Sequence, residues 1–157
     1  MASAPKMKWT FMSLQIQDEI RRGRMTFEEM FPRAREAGFV AYDASDGDAE
    51  FASREEVLRL CAGAGLQIAD YIHWVHMAAP TKQGVLEAVE SGCQAVRTAL
   101  EHGTNRLMIV ERVSAADLAR MTREEAASCL ADALDQIARY ARAQGVTAMV
   151  EDYPDPR

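Results

Sequence analysis

Four times along this chain a helical pattern ends at a glycine and gives way within a few residues to a short apolar run. The glycines are Gly38, Gly65, Gly103 and Gly145. The runs are Phe39-Val-Ala-Tyr42, Leu66-Gln-Ile-Ala69 continuing towards Val75, Leu107-Met-Ile-Val110 and Val146-Thr-Ala-Met-Val150, and a fifth, Trp9-Thr-Phe-Met-Ser-Leu14, precedes the first helix. Glycine stops a helix by adopting the left-handed conformation that other residues avoid. Near-continuous apolar runs bounded by turns suit strands covered on both faces. Strict alternation of the two predicts a parallel sheet, because a right-handed crossover must return the chain to the same end each time.

The helix starts are equally legible. Thr26-Phe-Glu-Glu29, Ser53-Arg-Glu-Glu56 and Thr122-Arg-Glu-Glu125 each have the form of a capping box, in which the hydroxyl accepts from a free amide and the glutamate reaches back. Met25 and Met30 stand where a hydrophobic staple would clamp the first of these helices. Behind the caps, apolar residues recur at steps of three and four: Phe27, Met30, Phe31 and Ala34, then Val57, Leu60, Cys61 and Ala64. A third helix opens near Thr81 with Val85, Leu86, Val89, Cys93, Val96 and Leu100, and a fourth carries Ala126, Leu130, Leu134, Ile137 and Ala141. Pro32 costs the first helix one hydrogen bond.

Charge narrows the partners. Lys and Arg number 18 against 24 Asp and Glu, a net charge of −6. Phosphate binding needs clustered cations, and Arg21-Arg22-Gly23-Arg24 is the one cluster, read here as a solvated turn between strand and helix. Nucleic acid is not expected as a partner. No stretch approaches the roughly 18 apolar residues of a membrane span, so no membrane association is expected. Nothing near Met1 resembles the apolar core of a secretory signal, which makes the cytoplasm the expected location. Cys61, Cys93 and Cys129 lie inside helical patterns, without metal spacing, and read as buried or half-buried thiols in a reducing compartment.

Two α/β architectures fit the pattern. An open doubly wound sheet of five strands matches the length of 157 residues, although it would normally finish on a helix and the first βα turn has no G-x-G-x-x-G. A closed barrel needs eight strands and roughly 250 residues. Periodicity does not choose between them. In either, the chemistry gathers beyond the carboxyl ends of the strands. The second strand delivers Asp43, with Asp46 and Asp48 behind it, and these read first as turn residues. The third delivers Tyr71, His73, Trp74 and His76; the fourth, Glu111; the fifth, Glu151 and Asp152. Carboxylates and imidazoles at one rim can hold a hard divalent cation or exchange protons with a polyol. His73 and His76 are three apart, which on a strand puts them on opposite faces. Glu151, directly after an apolar run, has no evident structural purpose.

The segments Met12-Ser13, Ile20-Arg-Arg-Gly-Arg-Met-Thr-Phe-Glu-Glu-Met30 and Ala34-Arg-Glu-Ala-Gly-Phe39, with Gly103-Thr-Asn-Arg-Leu-Met-Ile-Val110 and Gly145-Val-Thr-Ala-Met-Val-Glu151, resemble the sugar phosphate isomerase/epimerase family with its xylose-isomerase-like barrel. The resemblance implies one domain over residues 1–157: a parallel β/α barrel of the TIM type, truncated to about five strands and four helices. It implies an enzyme that isomerises or epimerises a sugar or polyol with Mg²⁺, Mn²⁺ or Zn²⁺. Glu151 matches the family's strand-five glutamate, a metal ligand and catalytic proton-transfer group, while His73, His76 and Glu111 are expected to line the substrate pocket. The family's later ligands have no counterpart in this chain, so the 157 residues alone are expected to be inactive and to bind metal feebly or not at all. The competing expectation is a non-catalytic half-barrel that acts through self-association or by complementing another chain, because its edge strands would invite pairing. An abasic-site endonuclease of the same fold would need several histidine ligands and a cationic face, which the acidic balance does not provide.

Overall fold

The structure is a computed structural model that describes residues 8–76, 81–112 and 122–151. Strand and helix alternate as the caps and glycines require. The elements are β1 (Thr10–Phe11), α1 (Gln17–Arg21), α2 (Phe27–Glu36), β2 (Ala41–Ser45), α3 (Arg54–Ala64), β3 (Gln67–His76), α4 (Lys82–Glu101), β4 (Arg106–Arg112), α5 (Arg123–Ala143) and β5 (Thr147–Glu151), with 3-10 turns at Ser13–Gln15 and Asp46–Glu50. The strands run in chain order, β1-β2-β3-β4-β5, and the β1–β2, β3–β4 and β4–β5 pairs are parallel.

Thr26 and Thr122 close complete capping boxes with Glu29 and Glu125. Ser53 accepts from the Glu56 amide, but the Glu56 carboxylate is turned to Arg59 instead. At the other end of α3, Gly65 has φ 69°, which lets the Leu66 amide reach back to the Cys61 carbonyl at 2.9 Å and release the chain into β3. Pro32 sits within α2 all the same.

Two compact units divide the chain, residues 1–69 and 70–157. The first is built on aromatic packing. Phe31 of α2 and Tyr42 of β2 are fully buried with their rings 5.1 Å apart, and Phe11 of β1 and Phe27 pack against this pair. Burying each such side chain contributes roughly 1.5–3 kcal/mol. The Arg21–Arg24 cluster is neutralised locally. Arg21 forks onto Glu50 at 2.6 and 2.8 Å, Arg22 approaches Asp18 at 3.8 Å, and Arg24 pairs with Glu19.

In the second unit, α4 and α5 pack closely, with Gly92 of α4 against Ile137 of α5. The Tyr71 ring lies 4.8 Å from that of His102, and the Arg97 guanidinium donates to the Tyr140 hydroxyl at 3.1 Å. No helix among the described residues is long and apolar enough to cross a membrane.

Two strands differ from the sequence expectation. The run from Trp9 to Leu14 is a strand only at Thr10–Phe11, because Ser13 turns its hydroxyl inward to donate to Asp48 at 2.6 Å and the chain tightens into a 3-10 turn. The second strand starts and ends later than Phe39–Tyr42 and takes in Asp43, which is buried within the strand and accepts from the Thr10 hydroxyl at 2.7 Å.

Candidate functional site

One carboxylate, Asp48 in the turn after β2, gathers polar groups from the ends of β1 and β2. Asp48 is buried and accepts three donors: the Ser13 hydroxyl at 2.6 Å, the Tyr42 hydroxyl at 2.7 Å and the Ser45 amide at 2.9 Å. Gln17 adds a longer bond to Ser13 at 3.4 Å. An aspartate satisfied in this way anchors the 3-10 turn after β2 to the turn after β1, and its lone pairs are largely committed. Burial first, and then the neighbouring Asp48 charge, push the Tyr42 phenol well above its ordinary value. The nearby Cys61 thiol is pushed up to about 12, again chiefly by burial.

A pH dependence follows. Both groups hold their protons more tightly folded than unfolded, so the stability each contributes is complete below its own ordinary value, about 8.5 for the thiol and about 10 for the phenol, and is lost as the pH climbs past that value. Urea melts between pH 8 and 11 should show a falling midpoint at the alkaline end. Tyr42→Phe should flatten that fall, and an equally steep fall in the variant would assign it to other groups.

The second unit carries the other candidates, and strand register sorts them. Tyr71, His73 and Val75 of β3 stand opposite Leu107, Ile109 and Glu111 of β4. This face meets the helices: the Tyr71 ring lies tilted against that of His102, and His73 Nε2 lies 2.9 Å from the Ser91 hydroxyl of α4. The alternate residues, Ile72, Trp74 and His76, occupy the other face, in rows with Met108 and Val110. Val110 is in turn opposite Glu151. Of the four residues singled out in the sequence, His76 and Glu151 therefore share one face of the sheet, and His73 and Glu111 share the face that α4 covers. His76 and Glu151 are both exposed, at the carboxyl ends of their strands. Asp152 lies outside the described residues.

Two positions drew no attention in the sequence. Asp70, a carboxylate early in the apolar third run, is buried on the same face as Trp74 and His76. Ser91 holds His73, and nothing in its local sequence marks it. Cys61 is buried, Cys93 and Cys129 are half-buried, and all three are free thiols.

Among the described residues, no three His, Cys, Asp or Glu side chains gather as a metal site. A hard divalent cation takes about six oxygen ligands, so Glu151 can contribute one ligand but does not make a site with the residues around it. An apolar cavity of about 460 Å³ lies beside β1 and α2, lined by Phe11, Met25, Met30 and Phe39 with Arg33 as its cation. A shallower depression of about 710 Å³ lies between α4 and α5, lined by Lys82, Leu86, Cys129 and Asp132 among others. Neither includes His76 or Glu151.

Solved structures match this arrangement of strands and helices. A sugar phosphate isomerase/epimerase from Parabacteroides distasonis superposes with a TM-score of 0.68 at 12% identity, over 100% of this chain and 59% of its own. A xylose isomerase-like TIM barrel/4-hydroxyphenylpyruvate dioxygenase fusion protein gives a TM-score of 0.68 at 17% identity, over 92% of this chain and 22% of its own. The fold is shared with part of a TIM barrel. A xylose isomerase domain protein from Alicyclobacillus acidocaldarius subsp. acidocaldarius, at a TM-score of 0.59 and 14% identity, matches over 92% of this chain and 50% of its own. The chain thus spans 59%, 22% and 50% of the length of these three solved chains. No protein-family model matches the sequence, and no curated protein matches it significantly.

Proposed function

We propose that this chain supplies strands one to five of a divalent-metal-dependent isomerase or epimerase acting on a sugar or polyol, and that it is inactive alone. The carrying observation is Glu151, an exposed carboxylate at the end of β5, in register with Val110 and on the same sheet face as Trp74 and His76. The neighbouring solved barrels named as sugar phosphate isomerase/epimerase and xylose isomerase proteins support the reaction class. In the complete barrel Glu151 would be one metal ligand and a proton-moving carboxylate. His76 would line the substrate from β3. His73 takes a supporting part, tying α4 to the strand through Ser91, and Glu111 shares its face.

Calorimetry with Mn²⁺ tests the incomplete metal site. One carboxylate without further ligands should give no binding tighter than about millimolar, and Glu151→Gln should change little. Micromolar binding that disappears in Glu151→Gln would refute this reading, because it would mean that the chain completes a coordination sphere by itself. In a chain that also carries the later strands, the same substitution should abolish turnover. The amide keeps the shape but loses both the charge that holds a cation and the basicity that moves a proton.

A further inference from the structure

On the face of the sheet away from α4, the register of β3, β4 and β5 lays side chains out in rows. Ile72, Met108 and Met149 stand side by side, and Trp74, Val110 and Glu151 stand side by side one step nearer the carboxyl ends. The first row is wholly apolar, with Ile72 buried and both methionines half-buried. The second changes character along its length, from an indole through a buried valine to an exposed carboxylate. Ile72 and Val110 are only 1% and 2% exposed, while Trp74 between them keeps part of its surface open.

A row that is aromatic at one end and anionic at the other matches a molecule that is itself apolar on its faces and polar at its rim. A sugar ring with equatorial hydroxyls is such a molecule. Its C–H bonds carry slight positive charge and are drawn to the negative face of an indole, while its hydroxyls donate to a carboxylate. Trp74 and Glu151 are two strands apart, about 10 Å at the backbone. One ring, in contact with the indole at about 3.5–4 Å and hydrogen-bonded to the carboxylate at about 2.7 Å, fits within that span. An open-chain polyol turns hydroxyls to every side. Some of them would lie against the indole and the methionines without a partner, which is costly.

We propose that Trp74 is a specificity-determining residue: its indole receives the apolar face of a cyclic sugar whose hydroxyl rim reaches Glu151, so that the ring is bound in preference to the open-chain polyol. The inference rests on the isomerase reading for the role of Glu151, but the stacking itself needs no metal. In Trp9→Phe, Trp74 is the one tryptophan left in the 157-residue chain. Without divalent ions, methyl β-D-glucopyranoside, a locked ring, should shift its emission saturably with a half-point of about 1–100 mM, and sorbitol should need at least about tenfold more. Saturation-transfer NMR on the glucoside should show its C–H protons against the protein. Trp74→Phe should weaken that transfer a few-fold, Trp74→Leu should abolish it, and Trp9→Leu should leave it intact. The graded loss in Trp74→Phe reads the stacking even where circular dichroism shows that Trp74→Leu is misfolded. The proposal is overturned by an emission that does not saturate by about 200 mM, by an equal response to sorbitol, or by transfer that survives in folded Trp74→Leu. Failure of the isomerase reading shows elsewhere, in the Mn²⁺ titration and in turnover by a chain with the later strands. Turnover there with KM unchanged in Trp74→Leu would reject the stacking and leave the reaction class standing.

Discussion

Asp48→Ala should cost roughly 3–5 kcal/mol of stability and lower the melting temperature by about 10 °C or more. The substitution removes the acceptor of three buried donors at once: the Ser13 and Tyr42 hydroxyls and the Ser45 amide. Each is then left in a low-dielectric site without water, and a buried donor without an acceptor costs about 1–3 kcal/mol. Against a total stability of about 5–15 kcal/mol, that is a large fraction. The cluster also ties the turn after β1 to the turn after β2, so its loss should loosen the carboxyl end of both strands. Asp48→Asn is the informative companion. It keeps the volume and one accepting oxygen but turns the other arm into a donor, and should lose about half as much. Urea melts of both variants decide the matter. A loss below about 1 kcal/mol for Asp48→Ala would mean that water reaches the cluster.

Gly92→Ala should be destabilising, against the usual preference of a helix interior for alanine. A Cβ at position 92 would lie 2.3 Å from Ile137 Cδ1, 2.6 Å from Cγ1 and 3.1 Å from Cγ2. Ile137 is fully buried and β-branched, so its retreat is limited. Overpacking of this kind costs about 1–3 kcal/mol, while the gain in helix propensity is about 1 kcal/mol. The expected net loss is therefore up to about 2 kcal/mol. Gly63, within α3, has nothing within 4 Å of its Cβ position, and Gly63→Ala should instead stabilise by about 0.5–1 kcal/mol. Ile137→Val, which shortens the obstructing branch, should recover part of the loss in the Gly92→Ala background. Opposite signs for the two glycines in thermal melts would establish contact, rather than helix propensity, as the deciding term.

Local chemistry was readable in the sequence because its partners are close along the chain. Thr26 and Glu29, and Thr122 and Glu125, lie within one helical turn of each other, and so they form the same capping boxes wherever the helix goes. The opposite faces of His73 and His76 followed from the two-residue period of a strand. What was not readable depended on partners far along the chain. Asp43 looked like a turn residue but lies in a strand, and Asp48, which does lie in the turn, gave no sign of its burial. Their burial is offset by hydroxyls from Thr10 and Ser13, more than thirty residues earlier. The same distant contact shortened the first strand. Asp70 and the tie between His73 and Ser91 were hidden for that reason too, since neither a carboxylate in an apolar run nor a serine in a helix announces its partner.

The strand order has a consequence for how the chain acquires its structure. Ala41 pairs beside Thr10, Leu107 beside Tyr71 and Thr147 beside Arg106, so each pairing spans about 30–40 residues. Loop-closure entropy grows only with the logarithm of the span, and every closure here is of nearly equal cost. As the chain leaves the ribosome, each of β2 to β5 finds its predecessor in the sheet already made. Assembly can thus proceed from the N-terminus in step with translation, one helix and one strand at a time.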